Sequence, residues 1–205
     1  MPPGSQQLYK RGAEREFKRA IELNNNDEWS REAYGWYLAA MGRFDESIAE
    51  MKRAQEIDPL SLSAMTHIGI PFYYARNYDQ AIEQFRKAVK VDPNFGNARF
   101  RLGLAYAQNG MYEEAIVELQ KALKISADRD IVAALGNVYA VSGKRDKARD
   151  MLAKLKKRLV QEYVPSYDVA LIHVGLGETD QAFEQLENAY QERSYWLTYL
   201  NVDPI

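Results

Sequence analysis

At 205 residues, with 46% hydrophobic and 12% aromatic residues, the chain has ample material for a buried core and does not read as a disordered tail. Its 27 Lys and Arg nearly balance 29 Asp and Glu, a formal net charge of -2, so no global field draws it towards polyanions or anionic lipid. The absence of cysteine excludes disulfide frameworks, thiolate zinc sites and thiol nucleophiles together.

In chain order, residues 1–7 (Met1-Pro2-Pro3-Gly4-Ser5-Gln6-Gln7) read as a flexible leader or an expression remnant. They lack the basic and apolar regions of a secretory signal, and nowhere does the chain carry about 18 consecutive apolar residues. A cytoplasmic protein without a membrane partner is expected, with a native N-terminus further upstream left open.

Beyond the leader the sequence keeps a beat. Gly35, Gly69, Gly103 and Gly136 are spaced by 34, 34 and 33 residues. Gly42, Gly110, Gly143 and Gly177 follow the same period, with one vacancy, at 76, filled by Arg76. Asp58-Pro59 and Asp92-Pro93 repeat it again. The beat divides the chain into a leading half-repeat over 8–27 (Ala13, Phe17, Ala20) and units 28–61, 62–95, 96–128, 129–162 and 163–196, each a pair of antiparallel helices.

An apolar residue, glycine, two residues and an aromatic mark each first helix, as in Leu102-Gly103-Leu104-Ala105-Tyr106 and Leu135-Gly136-Asn137-Val138-Tyr139. A small residue, a large apolar one and an alanine mark the second, as in Ala81, Phe85, Ala88 and Ala115, Leu119, Ala122. Small residues are needed where two helix backbones approach. Glycine past the first helix supplies a left-handed cap, and Pro59 and Pro93 stop the second. The pattern departs at Asn25, where a proline is expected, at Ala170 and His173, and in unit 129–162, whose long charged second helix has no closing proline.

Period and pattern resemble the tetratricopeptide repeat over nearly the whole chain. The resemblance implies an all-α, right-handed α-solenoid: a superhelix of antiparallel helix pairs with a concave face lined by the first helices. It also implies a scaffold for protein binding rather than an enzyme.

The residue inventory agrees with a non-catalytic reading. His67 lies inside a first helix and His173 replaces the aromatic of its unit, with no Asp, Glu or second His at ligand spacing, so no metal or cofactor is expected. Asp45-Glu46 and Glu113-Glu114 open second helices, where negative charge favours the helix dipole. Ser142-Gly143-Lys144 lacks the upstream glycine of a phosphate loop, and Asn24-Asn25-Asn26-Asp27-Glu28 lacks calcium-loop spacing and reads as a linker capping the next helix. From Lys144 to Arg158 eight Lys/Arg face only Asp146 and Asp150, while Glu178 to Arg193 carries five acids and one base. The two stretches are expected side by side, and nucleic acid is not the favoured partner because RNA-reading repeats spread their basic residues over many units.

In the family, positions 2, 5, 9, 12 and 13 of each unit point into the concave face. Carried over unit by unit, position 9 holds Trp36, Ile70, Leu104, Asn137 and Leu171, and position 5 holds Glu32, Thr66, Phe100, Ala133 and Tyr167. Tyr73 stands at position 12, Tyr74 and Gln108 at position 13. The implied groove is Trp36, Ile70, Tyr73, Tyr74, Phe100, Leu104, Gln108, Asn137, Tyr167 and Leu171, aromatic and aliphatic with few charges. Members that clamp a C-terminal carboxylate carry Lys, Asn and Arg at positions 5 and 9; here only Asn137 fits. An amphipathic helix or an extended apolar segment suits better.

After the last unit, seven of the twelve residues from Ser194 to Ile205 are large and apolar. The stretch resembles the Trp-Leu-x-Tyr-Leu segment that closes tetratricopeptide regions of bacterial multidomain regulators. Tyr195, Trp196, Leu197, Tyr199 and Leu200 are expected either to cap their own last unit or to pack on a second copy as a homodimer. The leading expectation is a scaffold holding a protein or peptide in its groove. A sensory segment of a longer bacterial regulator and an RNA-binding helical repeat are the alternatives.

Overall fold

A computed structural model describes residues 3–158 and 163–205, with side chains for 12–157 and 163–205. The helices run in the predicted order: α1 (Pro3–Leu23), α2 (Glu28–Ala40), α3 (Phe44–Ile57), α4 (Leu62–His67), α5 (Gly69–Tyr74), α6 (Tyr78–Val91), α7 (Gly96–Gln108), α8 (Tyr112–Ile125), α9 (Arg129–Val141), α10 (Arg145–Arg158), α11 (Ser166–Leu176), α12 (Thr179–Gln191) and a short 3-10 helix, Tyr195–Tyr199. Helix α1 begins inside the stretch read as a leader; Met1 and Pro2 lie outside the described residues, as does the end of unit 129–162. The fold is an all-α solenoid. It divides into two compact units, 1–87 and 88–205.

The glycine beat acquires a geometric reason at both of its positions. Gly42, Gly110, Gly143 and Gly177 take φ of +73, +75, +80 and +70°, and Arg76, in the vacancy, takes the same left-handed backbone at +62°. One residue on, the amides of Arg43, Asn77, Met111, Lys144 and Glu178 donate to the carbonyls of Leu38, Phe72, Tyr106, Tyr139 and His173, closing the six-to-one bond of a Schellman cap each time. The other glycine series lies where helices touch. A Cβ on Gly35 would stand 2.8 Å from Met51 Cε, and one on Gly103 2.6 Å from Leu119 Cγ.

In the first unit α2 pairs with α3, and α1 lies on α2. Ser47 replaces the small alanine of the second helix; fully buried, its hydroxyl donates to the Gly35 carbonyl at 2.7 Å. Helices α4 and α5 together fill the place of one predicted helix. Pro71 has no amide proton to offer the carbonyl of His67, and the helix breaks at Ile68. Glu14 fastens α1: its carboxylate meets Lys18 at 2.8 Å and Arg43 at 2.9 Å and accepts from the Tyr34 hydroxyl at 3.0 Å. Those partners, Lys18 foremost, hold its pKa at about 2.

In the second unit α7 pairs with α8, α9 with α10 and α11 with α12, and α9 also packs on α8 and α11. Three of the turns between repeats share one chemistry. Asp58 and Asp92 each accept through Oδ1 from the amide two residues on, at 3.0 and 2.8 Å, and Asn24 does the same for Asn26 at 3.2 Å. The asparagine loop is thus the same turn, with Asn25 in the proline's place. The next helix is clamped to it: the Arg31 guanidinium reaches the Asn25 carbonyl and, at 2.9 Å, Glu50, while that of Arg99 reaches the Pro93 carbonyl and Glu118.

Candidate functional site

On the first unit, the first-helix residues form a cluster of aromatic and polar groups. Trp36, half-buried, meets the His67 imidazole edge to face at 5.2 Å. His67 Nδ1 lies 3.0 Å from the buried carboxylate of Glu32, and Nε2 lies 3.5 Å from the Ser63 hydroxyl. Ile70, Tyr73 and Tyr74 are buried, the two tyrosine rings packed edge to face at 5.5 Å. Of the four groove residues expected here, Trp36 is therefore the one that presents part of its surface. Trp29, at position 2 of its unit, is 75% exposed. Position 2 is among the concave positions that the resemblance implies, yet Trp29 is not one of the ten groove residues carried over from it.

On the second unit, Phe100, Gln108 and Leu171 are half-buried, whereas Leu104, Asn137 and Tyr167 are buried. Asn137 serves helix packing: its amide nitrogen donates to the Leu171 carbonyl at 2.7 Å, joining α9 to α11. Beside Tyr167, Asp168 is buried and the pKa of its carboxyl rises to about 7, chiefly through burial, with the Asp130 charge adding and Arg129, whose Nε lies 3.4 Å away, opposing.

The apolar segment after α12 packs on this unit. Arg193 turns the chain with a left-handed backbone (φ +55°), and Trp196 stacks on Tyr167 with ring centroids 6.4 Å apart. Tyr199 is buried, Leu197 half-buried, and Tyr195 and Leu200 more open. The segment thus covers its own unit.

Four of the eight basic residues from Lys144 to Arg158 are engaged. Lys144 pairs with Glu113, Arg149 with Glu178 at 2.9 Å, Arg145 donates to the Leu176 carbonyl, and Lys147 lies 5.5 Å from the centre of the Tyr139 ring. The basic and acidic stretches do meet, through Arg149 and Glu178. His173 is buried and shares a hydrogen bond with Glu178 at 2.8 Å, which holds that carboxyl below the usual range. Among the described residues no three His, Cys, Asp or Glu side chains gather as a metal site, and no helix is long and apolar enough to cross a membrane.

Two tetratricopeptide-repeat models match the chain, over residues 31–59 and 68–130. No curated protein matches it. Among solved structures, it is similar to TTC0263, a thermophilic tetratricopeptide protein of Thermus thermophilus, with TM-score 0.67 and 24% identity over 86% of this chain and 97% of that one. It is similar to MamA of Desulfovibrio magneticus (TM-score 0.59, 21% identity, 78% and 93% covered). YrrB, described as having an unusual peptide-binding site, follows at TM-score 0.52 and 20% identity, with 92% and 98% covered. With the glycine beat, the Schellman caps and the paired helices, the two model matches show tetratricopeptide repeats over residues 31–59 and 68–130, and the solved structures share the fold that surrounds them.

Proposed function

We propose that this protein is a non-catalytic scaffold that holds a peptide or protein segment against its first-helix faces. The observation that carries the reading is the pair Trp29 and Trp36 on the first unit, one exposed and one half-buried, about two turns apart on α2. Indole rings are favoured anchors because they bury large area at small entropic cost. Ordinary packing explains Trp36 in part, through His67. It does not explain a tryptophan left three-quarters exposed at position 29.

Affinity capture from the source cell, with wild type beside Trp29→Ala and Trp36→Ala, tests this. The expected result is a partner retained by wild type and by Lys87→Ala, a change at an exposed residue of α6, but lost by both tryptophan variants at unchanged helicity. Equal retention by all four proteins would remove this face as the binding site.

A further inference from the structure

A segment whose task was only to close the last repeat would touch α11 and α12. The residues after α12 go further. Trp196 stacks on Tyr167 of α11 with planes 16° apart, and the Tyr167 hydroxyl donates to Asp203 Oδ2 at 3.0 Å. Tyr195 and Trp196 also wall a cleft of about 280 Å3 with Asn97, Phe100 and Arg101 of α7 and Asp130 of α9. The segment therefore crosses the first helices of three units and rests at positions 2 and 5, where the concave side would receive a ligand. It has a shape of its own, since the amides of Val202 and Asp203 both donate to the Tyr199 carbonyl, at 2.8 and 2.7 Å. It is also incompletely seated: Tyr195 and Leu200 remain 59% and 50% exposed.

We propose that Tyr195–Asp203 is a built-in ligand of the second unit, and that the partner of this face is a segment of the same chemistry, an aromatic ring followed some seven residues on by a carboxylate, which must displace it. The proposal rests on reading the first-helix face as the binding face. Tyr167 supplies both halves of the recognition, a ring for stacking and a hydroxyl for the carboxylate. The docked segment lowers apparent affinity in proportion to the fraction of molecules in which it is released, so the face answers only to a partner able to compete.

The test uses a fluorescein-labelled synthetic peptide with the sequence of residues 194–205, titrated by anisotropy into the full chain and into the full chain carrying Trp196→Ala with Asp203→Ala. The double variant is expected to bind at least about tenfold more tightly, and adding Tyr167→Ala is expected to abolish that gain. Equal affinity in wild type and double variant, or no binding to a double variant of unchanged helicity, would overturn the proposal. On the unaltered chain, excess peptide is expected to speed hydrogen exchange at Val202 and Asp203; unchanged exchange at saturating peptide would also overturn it. A dimer that becomes a monomer with Trp196→Ala would assign the segment to a second copy and reject the built-in ligand. None of these failures touches the Trp29 and Trp36 experiment, so the broader reading stands or falls separately.

Discussion

Arg76 shows how strongly a local backbone demand can override residue preference. Its left-handed φ of +62° closes the same cap that glycine closes after α2, α7, α9 and α11. For a residue with a Cβ this conformation costs roughly 1–2 kcal/mol, part of which glycine would return to the unfolded chain as entropy. Arg76→Gly is therefore expected to stabilise the protein by about 1 kcal/mol, a rise in thermal midpoint of about 3 °C by calorimetry. Asp168 is the opposite case, a side chain the fold disfavours when charged. Between its ordinary 3.8 and about 7, the folded chain keeps a proton that the unfolded chain has released, so stability falls as pH rises through that window. Asp168→Asn is expected to exceed wild type by about 2–4 kcal/mol at pH 8 and to lose that advantage near pH 4, read by urea denaturation at both values.

Within a helix pair, the controlling quantity is the distance between backbones. Gly103 leaves no room for a methyl group, which would meet Leu119 Cγ at 2.6 Å and the Ala115 carbonyl oxygen at 3.3 Å. Leu119 is fully buried and the Ala115 oxygen is backbone, so neither can swing aside. Gly103→Ala should cost about 1–3 kcal/mol despite alanine's better helix propensity, measured as a lower urea midpoint. This role was readable from the spacing of small residues alone. The arginine clamps were not. Arg31 and Arg99 occupy equivalent positions, but the intervening unit has Met65 there, so the clamp breaks the period that made everything else visible.

For the chain as a whole, α10 offers the sharpest contrast between composition and function. Its excess of Lys and Arg suggests a polyanion surface, yet several of those cations are held by Glu113, Glu178, the Leu176 carbonyl and the Tyr139 ring. Gel-shift or anisotropy titration with a single-stranded RNA at low salt is expected to show no saturable binding. Tight binding that falls steeply with added salt would revive the RNA-reading alternative.

The period of 34 residues was by itself enough for the helix pairs, their caps, the close-contact glycines and the type of repeat. These depend on backbone geometry, which recurs whenever its spacing recurs. Exposure does not, because it depends on what lies opposite. Asn137 stood at a ligand position, yet it bonds the Leu171 carbonyl; Tyr73 and Tyr74 are buried, and Trp29 stands in the open. The placement of Trp196 on Tyr167 belongs to the same class of fact. It joins residues 29 positions apart through a turn at Arg193 that no repeat specifies, and only folding brings them face to face.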